Sequence, residues 1–367
     1  SGLPQNTVFL FHIADSQPID FVEIFNKPDE QTRSSLDEIT KARTLFLNAF
    51  NQSDVDYAIK CTEEYLPHLF GLIEEAKQLP KDTPVPRLKI SWTSSLGSKY
   101  NKRFFTSDHW HYEVVNCLLV YGMLYRIKAG GLLSGFLNID EYKEKSNQVV
   151  QSLCTAAGIF DYIKKIELSR WTHKPSEPLP EKYTEYYTIL STLCIAESQQ
   201  VAIKKGFLSG MSKKALSKLC MDVCSKYRYL SGILLSPGFC DTFVMPQITS
   251  YCAFNDHLYE LFAFRLLGTA AMDEDYGIAV GYLGIGLQRA QNFDKIPSDK
   301  TADAVRMRQF FEFSLSEYSK IYSQVYSDNS RIYFARVPSV SQLELPKAVC
   351  IAKPIPWNPP EPIPIKI

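Results

Sequence analysis

Seven successive stretches of this chain repeat apolar residues at the period of an α-helix, at roughly 107–128, 140–168, 181–206, 211–235, 246–271, 275–291 and 300–327. Several exceed twenty residues, and the links between them are short or contain proline. An amphipathic helix has to bury its apolar stripe against a neighbour. Long helices joined by short links therefore fold as antiparallel neighbours, in a bundle or an α-solenoid. Two further helices come first. Leu36, Ile39, Leu45 and Phe50, then Tyr57, Cys61, Tyr65, Leu69, Leu72 and Ile73, recur near helical spacing on either side of Asn51-Gln52-Ser53-Asp54, the pattern of a helical hairpin. Pro80, Pro84 and Pro86 end the second of them.

Extended segments are few. Residues 7–13, Thr-Val-Phe-Leu-Phe-His-Ile, are β-branched and aromatic and predict a short strand, and Leu88 to Trp92 predicts a second extended piece. After Asn329 the helices stop. Arg331 to Pro338 is extended, and the last 15 residues hold six prolines, a composition that favours polyproline II. The expected organisation is one elongated domain over 1–352 followed by a proline-rich tail or linker start over 353–367.

Composition removes several function classes. Lysine and arginine number 40 against 40 aspartates and glutamates, so no net charge draws the chain to polyanions, and nucleic acid is not expected as a partner. The longest strongly apolar stretch, Val114 to Ile139, is interrupted by Arg126 and Lys128, so neither half approaches the roughly 20 residues of a membrane span. No basic segment followed by an apolar run marks a secretion signal. Nine cysteines, scattered from Cys61 to Cys350 without framework spacing, suit free thiols in a reducing, cytoplasmic setting.

No constellation passes as a catalytic or metal site. His109 and His111 are two apart on a helix and point in different directions, so structural or capping roles are expected. Cys220 and Cys224 share a helix face, but no second His/Cys pair at zinc spacing follows, and they read as small buried hydrophobes. Gly281-Tyr282-Leu283-Gly284-Ile285-Gly286 lacks the strand–turn–helix context of a nucleotide loop. Small residues recur from Gly268 through Gly277 to Gly286, as in tetratricopeptide-type hairpins where adjacent helices pack closely. Asp273, Glu274 and Asp275 fall where negative charge suits the start of a helix. No cofactor, metal or catalytic residue is expected. Pro356-Trp357-Asn358-Pro359 satisfies P-x-x-P and suits an SH3-type partner, but such matches are common in proline-rich linkers, and that is its plainer reading. Lys99, Lys102 and Arg103, beside Tyr100 and Phe104-Phe105, form a basic cluster that reads as a solvated loop, with peripheral membrane contact as the sharper alternative.

Three stretches, in order, resemble one family. They are Ala156-Ala157-Gly158-Ile159-Phe160-Asp161-Tyr162-Ile163, Ala196-Glu197-Ser198-Gln199-Gln200-Val201, and Arg331-Ile332-Tyr333 through Val337-Pro338 with Lys353-Pro354. The chain resembles the BRO domain of Alix-type ESCRT-associated endosomal adaptors. The resemblance implies a mainly α fold, an elongated, curved, boomerang-shaped helical solenoid with a tetratricopeptide-like core and a small β element near the N-terminus. It implies a non-catalytic adaptor that holds the C-terminal amphipathic helix of an ESCRT-III subunit, in multivesicular-body sorting and membrane remodelling, on endosomal membranes. Motif by motif, it carries the family's partner-helix patch onto Lys143, Asn147, Val150, Gln151, Ala202, Ala215, Leu216 and Leu219. Without it, Leu216 and Leu219 read as ordinary helix core. Relatives carry a lysine where Asn147 stands, an aromatic where Ala202 stands and a larger aliphatic where Ala215 stands. Those departures favour a second reading, a scaffold of the same fold for plasma-membrane, adhesion, phagocytosis or cytoskeletal signalling partners. Tyr333 matches a tyrosine phosphorylated in some relatives and is the one regulatory candidate; a buried aromatic at the end of the body is its plainer reading.

Overall fold

The computed structural model describes residues 7–25, 28–78, 88–96, 103–243, 245–293 and 301–365. Two compact units divide the chain: an amino-terminal unit of Val8–Leu132, Gln151–Ser191 and Pro354–Ile367, and a carboxy-terminal unit of Ser1–Thr7, Leu133–Val150 and Thr192–Lys353. Among the described residues no helix is long and apolar enough to cross a membrane.

In the amino-terminal unit a short helix α1 (Phe21–Ile24) precedes the predicted hairpin of α2 (Glu30–Ala49) and α3 (Val55–Gln78). Asp29 caps α2, its carboxylate accepting the Thr32 N–H at 2.7 Å. The buried stripe of α2 is Leu36, Ile39, Arg43 and Phe46, while Leu45, expected inside, is exposed. A charged residue thus occupies a core position of the stripe.

The strand expected over residues 7–13 does not form. Chain pairing is displaced to residues 15–17, where the Asp15 carbonyl accepts from the Thr93 N–H at 2.8 Å, Gln17 N–H donates to Ser91 at 3.0 Å, and Ser16 bridges Trp92. The small sheet is instead β1 (Ile90–Thr93) and β2 (Phe104–Ser107), antiparallel with Trp92 opposite Phe105. A β-branched run carries propensity but no edge of its own to pair with, and one edge of β1 is already taken by β2. Lys99, Lys102 and Tyr100 lie outside the described residues; Arg103 lies over the Phe105 ring at 4.9 Å.

Helix α4 (Trp110–Gly135) brings Glu113 into the centre of this unit, and α5 (Ile139–Tyr162) continues into a π-helical turn, Ile163–Glu167, and a last short turn, α6 (Leu168–Arg170). His109 and His111 do not diverge as expected: His109 lies just before α4, and the two ring centroids are 5.6 Å apart. The His109 ring accepts the His111 N–H at 3.3 Å, and His111 Nδ1 lies 2.7 Å from buried Glu167.

Glu181 lies just before α7 (Thr184–Leu208) and is buried. Burial pushes its carboxyl above the ordinary 4.5, against the Ser95 hydroxyl and N–H, each at 2.7 Å, and the Ser94 hydroxyl at 3.0 Å, which favour the anion. The folded chain holds this proton to higher pH than the unfolded chain. Its contribution to stability is complete below pH 4.5 and is lost as the pH rises through the folded value. Glu181→Gln, neutral throughout, is expected to flatten the profile of thermal midpoint against pH above 4.5; an unaltered slope would assign the dependence elsewhere.

The proline-rich tail packs onto the same unit. Ile355 N–H donates to the Cys154 carbonyl at 2.9 Å, and Ile363 N–H to the Pro67 carbonyl at 3.0 Å. One helical turn on from each acceptor stands a glycine, Gly158 and Gly71, where a Cβ would overlap the carbonyl of Ile355 and Ile363 respectively. The same device therefore docks the tail twice. The Trp357 ring meets Tyr162 edge-on at 4.7 Å, and Ile365 is buried.

The carboxy-terminal unit is built on α10 (Pro246–Ala271). It packs on α8 (Lys213–Leu234), α11 (Tyr276–Ala290) and α12 (Ala302–Asp328), with α9 (Phe239–Thr242) a short turn between α8 and α10. Gly268 faces Leu283 and Gly286 faces Phe264 and Tyr318, so these two glycines do admit close helix packing. Gly277 and Gly281 receive something else, the Arg336 carbonyl and the Leu343 side chain of the extended segment beyond α12. Asp275 caps α11 by accepting the Ile278 N–H at 3.0 Å. Helix ends at Phe334, the one described non-glycine residue in the left-handed region, with φ 53°.

Candidate partner-helix face

On α5 the buried stripe is Tyr142, Ser146 and Val149. The stripe carried over from the family, Lys143, Asn147, Val150 and Gln151, is displaced from it by about one residue, roughly 100° round the helix. It therefore flanks the core, with Lys143 and Val150 half-buried and Asn147 and Gln151 exposed. Residues 192–208 of α7 lie beside α5. Tyr142 OH donates to the Val201 carbonyl at 3.3 Å, and the Lys204 ammonium sits 4.5 Å from the Tyr142 ring. Burial holds the Lys204 ammonium below the usual lysine range. Lys205 Nζ donates to Asn147 Oδ1 at 2.9 Å.

Helix α8 follows α7 after a turn in which Ser212 caps the new helix, accepting the Ala215 N–H at 3.2 Å. A Cβ on Gly206 would stand 3.3 Å from Leu216 Cδ2 and 3.1 Å from Met211 Cε, so the end of α7 and the start of α8 meet at Gly206. Asn147, Lys205, Ala202 one turn earlier on α7, Gly206 and Leu216 thus form one continuous path across three helices.

Two expected groove residues do not line it openly. Leu216 and Leu219 are 1% and 5% exposed, within the protein's own core. The reason is that α8 is covered twice: α10 packs on it, and the Val349 N–H donates to its Lys218 carbonyl at 3.1 Å. Ala202 and Ala215 are half-buried. Met211, in the α7–α8 turn beside Gly206, stays accessible. Lys204 and Lys205 carry no local sign of a role on this face, since cations at a helix C-terminus suit the helix dipole.

The polar motif Glu197-Ser198-Gln199-Gln200 is structural. All four residues are buried. Gln199 donates to the Val349 carbonyl at 2.7 Å and accepts from the Ile351 and Ala352 N–H groups at 3.1 and 3.3 Å. Gln200 donates to Asn255 at 3.1 Å, and Glu197 accepts from Tyr251 OH at 3.3 Å. Cys220 and Cys224 are buried, Cys224 against Asp256 at 2.9 Å, and among the described residues no group of three or more potential ligands is arranged for a metal.

Charge on this face is uneven. Lys145 and Lys214, on the same helices, bind Glu141 and Glu274. Lys143, Lys204 and Lys205 have no carboxylate partner among the described residues; one meets a ring and one a neutral amide. Tyr333, expected to be buried, is 52% exposed and stacks on Tyr276 with ring centroids 3.8 Å apart. The π-helical turn Asn329–Tyr333 carries its side chain outward, so it rests on the surface of the body.

Comparison with known proteins agrees with this architecture. Human tyrosine-protein phosphatase non-receptor type 23 is 21% identical over 230 residues, 60% of this chain, and the mouse protein matches equally. The chain spans 13% of the length of these curated relatives. A solved ALIX BRO1–CHMP4C complex superposes with a TM-score of 0.75 at 17% identity, covering 96% of both chains. ALIX in complex with the SIVmac239 PYKEVTEDL late domain superposes with a TM-score of 0.76 at 17% identity, over 96% of this chain and 49% of that one. A structure describing endosomal targeting by the Bro1 domain gives 0.76 at 17% identity, over 96% and 94%. The BRO1-like domain model matches residues 21–366, from α1 to the end of the docked tail, and the chain belongs to that family.

Proposed function

We propose that this domain is a non-catalytic adaptor whose α5–α7–α8 face holds the C-terminal amphipathic helix of an ESCRT-III subunit. Its setting is then multivesicular-body sorting, endosomal trafficking and membrane remodelling at the cytoplasmic side of endosomes. The observation that carries the reading is the accessible path from Asn147 through Lys205 to half-buried Ala202, Ala215 and Val150, with three lysines that among the described residues lack carboxylate partners. Apolar contact bordered by unpaired cations suits an amphipathic helix that carries carboxylates. The ALIX BRO1–CHMP4C complex, a protein of the same fold, supports this class of partner. The lysine that relatives carry at position 147 is absent here, but Lys205 brings an ammonium within 2.9 Å of the Asn147 side chain, which supports retention of a cation at that spot.

Titration of the purified domain with C-terminal peptides of ESCRT-III subunits tests the reading. Val150→Asp and Lys205→Glu are each expected to weaken binding at least tenfold, about 1.4 kcal/mol, and leave the helical circular dichroism unchanged. Leu219 is unsuited to such a test because a charge at a buried position unfolds the protein instead. Affinity indifferent to both variants would move the partner to another surface.

A further inference from the structure

The docked tail shows a three-residue rhythm. Pro354, Trp357 and Pro360 are half-buried, while Ile355, Asn358 and Glu361, and likewise Pro356, Pro359 and Pro362, are exposed. Three residues per turn is the period of polyproline II, and a segment with prolines at 354, 356, 359, 360 and 362 has few other conformations open to it. Of its three faces one is set against the amino-terminal unit, with Trp357 on Tyr162, and two are turned to solvent. The two exposed faces are those that carry the X–Pro pairs Ile355-Pro356 and Asn358-Pro359. Pro356, Pro359 and Pro362 make a single ridge with a spacing of about 9 Å, from 3.1 Å per residue. In sequence, Lys353 stands one such turn before Pro356 and is itself exposed.

From this arrangement we infer that the tail is a preformed ligand for an SH3-type domain. A groove walled by aromatic rings takes two X–Pro pairs one turn apart, and Ile355-Pro356 and Asn358-Pro359 present that spacing together. A carboxylate-lined pocket beside the groove takes the Lys353 ammonium. The inward residue between the two pairs, Trp357, is the one such a groove leaves untouched, so the tail is read where it lies. Hydrogen bonds from Ile355 to Cys154 and from Ile363 to Pro67 hold the backbone on either side of the ridge. Ordering has therefore been completed by folding, and an incoming domain meets a rigid strand at little entropic cost. The inference rests on other residues than the face proposed for the ESCRT-III helix and does not depend on it.

The test is surface plasmon resonance of the intact chain against a panel of recombinant SH3 domains, with WW and EVH1 domains run in parallel. At least one SH3 domain is expected to bind saturably. Its affinity should fall at least tenfold for the Pro356→Ala/Pro359→Ala double variant and for Lys353→Glu, which leaves the docking hydrogen bonds in place. A synthetic peptide of residues 351–365 should bind the same domain at least threefold more weakly than the intact chain does. The inference is overturned by silence across the SH3 panel, by binding that survives the double proline variant, by binding of the free peptide alone, or by capture through WW or EVH1 domains only.

Discussion

Glu113→Gln is expected to lower the unfolding free energy by about 3–5 kcal/mol, the cost of removing one partner from a buried ion pair. Arg43 and Glu113 side chains are each 1% exposed, with Arg43 Nε 2.7 Å from Glu113 Oε1 and Nη2 3.3 Å from Oε2. Burial by itself disfavours the cation, but the Glu113 carboxylate outweighs it and holds the guanidinium charged. Two further donors go to the Gln17 carbonyl at 2.9 Å and Ser16 Oγ at 2.6 Å. Glu113 in turn accepts from Tyr65 OH at 3.1 Å and Trp92 Nε1 at 2.7 Å. One carboxylate thus ties α2, α3, β1 and α4 together. An amide in its place leaves Arg43 without a counter-charge and turns an N–H₂ towards groups that are themselves donors. Denaturant titration followed by tryptophan fluorescence measures the loss. The apolar pair Arg43→Met/Glu113→Leu should recover the part that belongs to the uncompensated charge, while the Tyr65 hydroxyl and Trp92 N–H, deprived of their acceptor, keep the remainder lost. A single-variant loss below about 1 kcal/mol would show the network to be dispensable.

The second large effect is on the tail. Gly71→Ala and Gly158→Ala are each expected to cost about 1–3 kcal/mol, the range for forcing atoms into a filled contact, and together to release residues 354–365. At both positions the added Cβ would overlap a tail carbonyl that now rests against the glycine. The helix cannot yield, since its backbone also supplies the acceptors, Pro67 and Cys154. The readout is chymotrypsin cleavage after Trp357, between Trp357 and Asn358, which should accelerate at least tenfold in the double variant. Gly131→Ala is the control. A Cβ there meets nothing within 4 Å, and alanine in a helix should be neutral or stabilising by up to about 1 kcal/mol. Equal cleavage of the double variant and the control would mean that the tail is held by its side chains, Trp357 and Ile365, and not by the two glycine contacts.

Helix positions were the most legible part of the chain. The expected helix over 246–271 coincides with α10, and 275–291 and 300–327 fall within two residues of α11 and α12. Caps at Asp29, Asp275 and Thr301 mark three of the starts. This works because periodicity and capping depend on residues within one or two turns of each other. What lies far apart in sequence was less legible. Nothing local in Arg43 distinguishes it from a surface cation, yet it is the buried member of its stripe. The tail's anchors did have a local sign, since Ile355 and Ile363 are both held extended by the proline that follows. The glycines that receive them are about 200 and 300 residues away in the chain, beyond any pattern of period 3.6 or 2.

The same division runs through the candidate face. Spacing on α5 by itself determined that Lys143, Asn147, Val150 and Gln151 share a stripe, since an α-helix allows nothing else. Whether that stripe met solvent or core, and what stood across from it, was decided by packing. The tertiary structure put Lys205 against Asn147, closed Leu216 and Leu219 into the interior, and left Lys143, Lys204 and Lys205 without carboxylate partners among the described residues. A helix's own residues fix which side chains point the same way, but burial and charge pairing are properties of two surfaces and exist only once both are in place.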